Sequence, residues 1–212
     1  MRLATDTRRL VTAGALAAVL LGGGSTAAVA APAQPTRPAA SAAATSASYA
    51  GSYARLRSLA DLSAQRLATA DLVAAAKYGT DSPIDDPARE RQVLEAVARQ
   101  AEEAGADPEA TVRIFRDQIE ANKVVQRGLF RRWDADPSQA PKDRPDLGEV
   151  REEINRVNAE LVRGIALSPE ARTAPYCGGV LTVAAVRVRH EDRLDGLHSV
   201  ALGRALRSVC AG

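Results

Sequence analysis

Two Asp-Pro pairs divide the middle of the chain into long segments with helical periodicity. Asp86-Pro87 and Asp107-Pro108 each combine an N-cap residue with proline at the first helical position, which signals a helix start. We predict one helix that ends near Tyr78, one that starts at Asp86, and one that runs from Asp107 to about Asp134. Apolar spacings of three and four support these helices and a fourth from Asp146 or Leu147; the inward positions are Leu56, Leu59, Leu62, Leu67, Ala70, Val73, Ala74, Val93, Leu94, Val97, Phe115, Ile119, Asn122, Gln126, Leu129, Trp133, Leu147, Val150, Ile154, Val157, Leu161 and Ile165.

The last third of the chain continues the helical pattern. Ser168-Pro169 opens a short segment, and residues 180–188 and 194–209 have the pattern of two more helices. Residues 180–188 are rich in β-branched side chains, so a strand is an alternative there. Hydrophobic residues make up 46% of the chain and aromatic residues only 3%. Ala, Leu and Val therefore supply the core, which favours an all-α fold. We predict a helical bundle with the active site between the helices.

The first 52 residues differ in composition from the rest. Residues 1–30 combine Arg8 and Arg9, an apolar run from Leu10 to Leu21 and small residues before Ala31, which is typical of a cleaved secretory signal peptide. An uncleaved anchor is the alternative, but a membrane span needs about 20 apolar residues. Residues 31–52 are rich in Ala, Pro and Ser, and we interpret them as a disordered linker. We expect a helical core over residues 53–135 and a helical extension over residues 136–212.

The charge balance argues against a polyanionic partner. The formal net charge is +2, but the first 30 residues hold three arginines and one aspartate. The remainder carries 25 basic and 25 acidic residues and is therefore formally neutral. We expect no nucleic-acid partner, and no membrane association once the signal has been removed. The predicted location is the secreted, periplasmic or cell-wall space.

Cysteine and histidine usage limits the possible chemistry. Cys177 and Cys210 are the only cysteines, and an even count in an exported chain favours a disulfide, which would staple the C-terminal helices. His190 and His198 are the only histidines and lack ligand-like spacing to the cysteines, so we expect no metal site. The sequence has no nucleophile elbow, phosphate-binding glycine loop, HExxH or CxxC motif. We therefore predict no cofactor and no nucleophilic catalysis.

A set of polar residues falls on inward or cap-adjacent helix positions. Arg66 and Lys77 lie eleven residues apart, about three turns, so both can point into one cavity. Asn122 and Gln126 interrupt an apolar stripe, either as satisfied core amides or because they face a polar pocket. Such a group of cations and neutral donors would suit a small dianion. The full set is Arg66, Lys77, Asp86, Arg89, Glu90, Asn122, Gln126 and Arg151.

In order along the chain, these residues resemble the all-helical chorismate mutases, and among them the exported subclass. The resemblance covers about residues 55–210 and includes Arg66-Leu67, Lys77 and Asp117-Gln118-Ile119. It also includes the run Pro83-Ile-Asp-Asp-x-x-Arg-Glu-x-Gln-Val-Leu94, the pair Asn122-x-x-x-Gln126, Arg151 and the two cysteines. It implies a one-substrate [3,3] rearrangement of chorismate to prephenate, with no cofactor, in a homodimer whose sites each lie within one protomer.

The resemblance also implies a role for each residue. Lys77 and Gln126 would donate to the ether oxygen, and Arg66, Arg89 and Arg151 would hold the two carboxylates. The Asp86 backbone and Glu90 would take the ring hydroxyl. Asn122 stands where the family usually has Ser or Thr, and its amide can also donate. We expect Lys77, Gln126, Arg66 and Glu90 to be catalytic. The alternative is a non-catalytic exported helical binding module for small dicarboxylates.

Overall fold

A computed structural model describes residues 39–210, with only the backbone for residues 39–45. Seven α-helices and one short 3-10 turn form this part of the chain, which contains no strand. The predicted signal peptide, residues 1–30, lies outside the described residues. The α-helices are α1 (Ala39–Lys77), α2 (Pro87–Glu103), α3 (Pro108–Ala135), α4 (Leu147–Ala166), α5 (Pro169–Thr173), α6 (Cys177–Glu191) and α7 (Gly196–Ala205), and the turn is Pro137–Gln139.

The helix starts are where the local sequence signals predict them. Asp86, Asp107 and Asp146 are the N-caps of α2, α3 and α4, and each side chain accepts a backbone N–H of the first turn. Proline occupies the first turn of α2 and α3, where its missing N–H is not needed. Residues 180–188 lie within the helix α6, so the alternative of a strand there is wrong.

The prediction of a disordered linker over residues 31–52 is wrong for its second part. The helix α1 begins at Ala39, so residues 39–52 are helical, whereas residues 31–38 lie outside the described residues. Alanine is the strongest helix former, and this propensity supports the extension of α1. A tertiary contact adds to it, because the Tyr49 ring packs 4.3 Å from that of Tyr176 and the Ser52 hydroxyl lies 3.2 Å from the Tyr176 hydroxyl.

The helix α1 is the centre of the bundle and packs against α3, α4 and α6. Its buried residues include Leu56, Leu59, Leu67 and Ala70, and α3 adds Ile114, Phe115 and Val125 to the same core. The helix α2 covers one side of α3 and α4, and α7 covers the other side of α3. This arrangement leaves the C-terminal part of α1 facing α2, α3 and α4.

The C-terminal helices are joined by the predicted disulfide. Cys177 at the start of α6 is bonded to Cys210, just after α7, with a Cα–Cα distance of 5.9 Å. The two cysteines lie 33 positions apart in the sequence, so the bond closes a loop that contains α6 and α7. No helix among residues 39–210 is both long enough and apolar enough to cross a membrane.

Candidate active site

A cavity lies between α1, α2, α3 and α4, next to the loop that joins α1 to α2. Side chains from all four helices line it, together with Ile84 of the loop. All eight polar residues selected from the sequence lie on its wall, namely Arg66, Lys77, Asp86, Arg89, Glu90, Asn122, Gln126 and Arg151. Its apolar wall consists of Val73, Ile84, Val93, Ile119, Leu147 and Ile154.

Lys77 is the last residue of α1, and its ammonium group enters the cavity from the helix end. The Nζ atom donates a hydrogen bond of 2.6 Å to the carbonyl oxygen of Pro83 in the α1–α2 loop. Burial lowers the pKa of Lys77, Asp86 opposes this shift, and the positive charge of Arg151 adds to it. The loop turns back on itself at Gly79, whose φ of +71° is the left-handed conformation that glycine adopts easily.

Arg66 is a buried cation that the protein holds in a fixed orientation. Its Nε donates to Asn158 Oδ1 at 2.8 Å, and its Nη1 donates to the Gln118 carbonyl at 3.0 Å. The guanidinium also lies 5.8 Å from the centre of the Phe115 ring. Burial lowers the pKa of Arg66 to about 10, so its charge persists at neutral pH. Nε and Nη1 each use one N–H on the protein, so both N–H groups of Nη2 and the second N–H of Nη1 can donate to a ligand.

The first turn of α2 supplies Asp86, Arg89 and Glu90. The Asp86 side chain accepts the backbone N–H of Arg89 at 3.0 Å, so its carboxylate acts as the helix cap that the sequence predicts. The Arg89 Nη1 lies 3.3 Å from Gln92 Oε1, one turn further along the same helix. The Asp86 carbonyl also accepts the backbone N–H of Glu90 at 2.9 Å, so the Asp86 backbone N–H is the group that has no hydrogen-bond partner among the described residues.

The two amides in the apolar stripe of α3 both line the cavity, but their hydrogen bonding differs. Asn122 donates from Nδ2 to the Arg66 carbonyl at 3.2 Å. Gln126 is only 5% exposed, and its buried Oε1 has no hydrogen-bond partner among the described residues. An unpartnered buried amide oxygen costs about 1–3 kcal/mol. Such a group indicates a position where a ligand or water completes the hydrogen bonding.

Lys123 lines the same cavity, and the sequence interpretation missed it. Its ammonium lies 2.7 Å from Glu120, 2.9 Å from Glu90 and 3.3 Å from Asp85. Burial lowers the pKa of Lys123, but hydrogen bonds to these carboxylates outweigh burial and raise the pKa overall. A signal was present, because Lys123 precedes two valines and lies one turn before Gln126. Lys77 was selected on the same kind of evidence.

The cavity is suited to a small anion with two negative groups. Five cationic side chains and two carboxylates line it, and the cations come from α1, α2, α3 and α4. The apolar wall keeps water away from a bound ligand. The charged side chains of the wall therefore act on the ligand at a low dielectric constant. None of the lining residues is a cysteine, serine, threonine or histidine. The arrangement can therefore restrain and polarise a substrate, and the lining residues include none of these common nucleophiles.

Comparison with known proteins agrees with this geometry. Residues 57–127 match the family described as chorismate mutase type II. The secreted chorismate mutase of Mycolicibacterium smegmatis is 39% identical over 152 residues, which cover 72% of this chain and 84% of that protein. The chain belongs to the chorismate mutases. The secreted chorismate mutase of Mycobacterium tuberculosis is 33% identical and is covered over 78% of its length, with 74% of this chain aligned.

A solved chorismate mutase structure shares the same fold. The crystal structure of chorismate mutase from Burkholderia phymatum superposes with a TM-score of 0.72 at 33% identity. The match covers 99% of that chain and 76% of this one. The cavity described here therefore lies in a chorismate mutase fold.

Proposed function

We propose that the cavity between α1, α2, α3 and α4 is the active site at which this chorismate mutase rearranges chorismate to prephenate. One observation carries the proposal. Lys77 and Gln126, whose buried Oε1 has no partner among the described residues, line a single cavity with three arginines from three different helices. Chorismate carries two carboxylates and a breaking ether bond, so a site for it needs cations at two places and donors at a third.

The arginines would hold the two carboxylates. Arg66, Arg89 and Arg151 approach the cavity from α1, α2 and α4, and guanidinium groups bind carboxylates in a bidentate manner. Fixing both carboxylates restrains the substrate in the folded shape that brings the two reacting carbons together. Such restraint replaces an entropic part of the barrier with binding energy. Asn122 would assist at the ring carboxylate, because an amide can donate a second N–H.

Lys77 and Gln126 would stabilise the charge that develops in the transition state. As the C–O bond breaks, negative charge grows on the ether oxygen, and donors already aimed at that oxygen favour the transition state over the substrate. The ether oxygen only accepts hydrogen bonds, so Gln126 would turn its Nε2 towards it. A rate gain of about 10⁶ requires roughly 8 kcal/mol of selective stabilisation, a magnitude that a few buried donors can supply.

The start of α2 would bind the ring hydroxyl. Asp86 and Glu90 both line the cavity with Lys77. The Asp86 side chain caps α2 and its carbonyl accepts the Glu90 N–H, so its backbone N–H would donate to the hydroxyl oxygen. Glu90 would accept the hydroxyl proton in a hydrogen bond without removing it, because the rearrangement moves no proton. This set of contacts uses neither a metal nor a cofactor.

Turnover of chorismate tests this assignment directly. Purified protein that lacks the first 30 residues should consume chorismate, followed as loss of its absorbance, and should form prephenate. Binding of chorismate without turnover at micromolar enzyme would instead support the alternative, an exported module that binds small dicarboxylates.

Export and assembly belong to the same proposal. Relatives named as secreted, and the Cys177–Cys210 disulfide, support an exported protein. Cleavage of a signal near Ala31 would release it into the periplasm, the cell wall or the medium, and the mass of the exported protein tests the cleavage position. We further propose a homodimer, which light scattering would test. All the proposed contacts come from one chain, so each site would lie within one protomer.

A further inference from the structure

Lys123 is the one charged residue of the cavity wall to which the function proposed above gives no role. It is 8% exposed, although lysine is rarely so buried. Its ammonium is surrounded by three carboxylates that come from three parts of the chain. Glu120 lies on α3 itself, Glu90 on the first turn of α2 and Asp85 in the α1–α2 loop. A single group on α3 therefore ties both the loop and the start of α2 to the cavity wall.

We propose that Lys123 is a positioning residue for the rearrangement, and that it acts through Glu90. This inference rests on the proposed function, in which Glu90 accepts a hydrogen bond from the ring hydroxyl. The Glu90 carboxylate has two oxygens, and the one 2.9 Å from Lys123 Nζ is fixed by the ion pair. The pair sets the orientation of the carboxylate, so that the rest of the group is presented to the substrate.

The charges of the cavity explain why Glu90 needs such a partner. Negative charge on Glu90 also acts on the ammonium of Lys77. Without Lys123, Glu90 would face Asp85 and Glu120 unshielded, and the nearby cation of Lys77 would attract it. A carboxylate that pairs with Lys77 would compete with the ether oxygen for the same donor. Lys123 thus keeps Glu90 on the hydroxyl side of the site and leaves Lys77 available.

Arg127 provides a matched control, because it shares the Asp85 contact of Lys123 and lacks the Glu90 contact. It binds Asp85 with hydrogen bonds of 2.6 and 2.7 Å, but it has no ion pair with Glu90 among the described residues. Removal of Arg127 therefore loosens the loop and leaves Glu90 held. Removal of Lys123 releases Glu90, while Asp85 remains bound to Arg127.

The test is a double-mutant cycle on turnover of chorismate. We expect Lys123→Met to lower kcat/KM about 30-fold in the otherwise unchanged chain, and less than 3-fold in a Glu90→Gln background. Lys123→Arg should recover most of the loss, because it keeps the charge, whereas Arg127→Met should change kcat/KM less than 3-fold in both backgrounds. Strong coupling of this kind is expected only when two residues act as a unit.

The outcomes separate this inference from the proposed function. If Lys123→Met causes the same loss with and without Glu90, or causes none, Lys123 does not act through Glu90 and the inference fails. If the unchanged chain does not consume chorismate, the proposed function fails first. If the methionine variant does not fold, the same cycle can be measured with Lys123→Gln, which places an uncharged polar side chain at this position.

Discussion

Two glutamines on α3, Gln118 and Gln126, lie eight residues apart, and their surroundings differ sharply. Gln118 is 1% exposed, and its Nε2 donates to the Ser63 hydroxyl at 2.7 Å and to the Ala205 carbonyl at 3.2 Å. Gln126 is almost as buried, but its Oε1 has no partner among the described residues and the residue lines the cavity. Burial alone therefore does not distinguish a structural amide from one that serves a ligand. Gln126 differs from Gln118 because it lines the cavity and also leaves a buried oxygen unpaired.

The same contrast extends to the surroundings of each amide. Around Gln118, Ser63 donates to the Leu59 carbonyl at 2.7 Å, and Arg66 donates to the Gln118 carbonyl and to Asn158. We call these groups the closed cluster: Ser63, Gln118, Asn158 and the Nε and Nη1 atoms of Arg66. Arg66 belongs to both regions, because it also lines the cavity. The closed cluster thus fixes a cation that the cavity uses.

The largest expected effect in the cavity is that of Lys77. Lys77→Ala should lower kcat/KM by at least about 10⁴-fold, roughly 5 kcal/mol, because the main cation at the ether oxygen is lost. The residue sits at a helix end, so the circular dichroism spectrum and the unfolding midpoint should hardly change. Near-normal formation of prephenate by this variant would show that the site is assigned wrongly.

The disulfide should contribute to the stability of the fold without affecting catalysis in the cavity. The closed cluster depends on α7 through the Ala205 carbonyl, and Cys210 ties the end of α7 to α6. Replacing both cysteines by serine should lower the free energy of unfolding by about 3–4 kcal/mol, the chain-entropy value for this loop. Urea denaturation measures the loss, and kcat per folded molecule should stay within a factor of about two. A large fall in kcat would mean that α7 also controls the cavity.

Gln126→Met should separate chemistry from stability. Methionine has a similar length but cannot donate to the ether oxygen, so kcat should fall about 10²-fold, roughly 3 kcal/mol. The free energy of unfolding should not fall, because the substitution removes a buried oxygen that has no partner among the described residues. Steady-state kinetics and urea denaturation of the same preparation test both halves. A fall in stability without a fall in kcat would contradict the proposed role.

Gln118→Met should produce the reverse result. It removes hydrogen bonds to Ser63 and to the Ala205 carbonyl and leaves those groups buried, so stability should fall by about 1–3 kcal/mol. The backbone carbonyl that orients Arg66 is retained, and kcat should change by less than about 10-fold. If both glutamine variants lost the same property, the distinction between the closed cluster and the cavity would be wrong.

These comparisons also show which parts of the molecule the sequence could predict. The starts of α2 and α3 are predictable because an Asp-Pro pair favours a helix start through contacts with the next few residues. The shared face of Arg66 and Lys77 follows from helix geometry alone. Both features are local, so no knowledge of the tertiary fold was needed. Eight polar residues of the cavity are predictable for the same reason, since each lies on an inward helix position or next to a helix cap.

The features that the sequence interpretation missed depend on contacts between distant residues. The composition of residues 31–52 predicts a linker, yet Tyr49 and Ser52 contact Tyr176, which lies more than a hundred residues further along the chain. Lys123 gains its importance from Asp85 and Glu90, which belong to other elements. Asn158 holds Arg66 from 92 positions away. No periodicity along the chain records which distant side chains will meet, so these contacts required the structure.

The smallest expected effect comes from His198, which lies outside both the closed cluster and the cavity. Its ring lies 3.1 Å from Asp71 on α1 and 2.7 Å from Asp195 at the cap of α7, and it therefore ties α7 to α1. The hydrogen bond to Asp71 is the main cause that raises the pKa of His198 to about 9, against the opposing effect of burial. Because the folded pKa exceeds the unfolded value of about 6.5, the stabilisation is complete below pH 6.5.

This stabilisation should be lost as the pH rises from about 6.5 to about 9, while activity responds to a different group. The two carboxylates are half exposed, so solvent screening limits the effect to about 1–2 kcal/mol. Urea denaturation at several pH values should show the decline, and His198→Gln should remove it. Activity should instead fall as Lys77 loses its proton. Because burial lowers the pKa of Lys77, this fall should occur at a pH below the ordinary pKa of lysine. If His198→Gln also removed the loss of activity at alkaline pH, that loss would result from unfolding of the protein and not from deprotonation of Lys77.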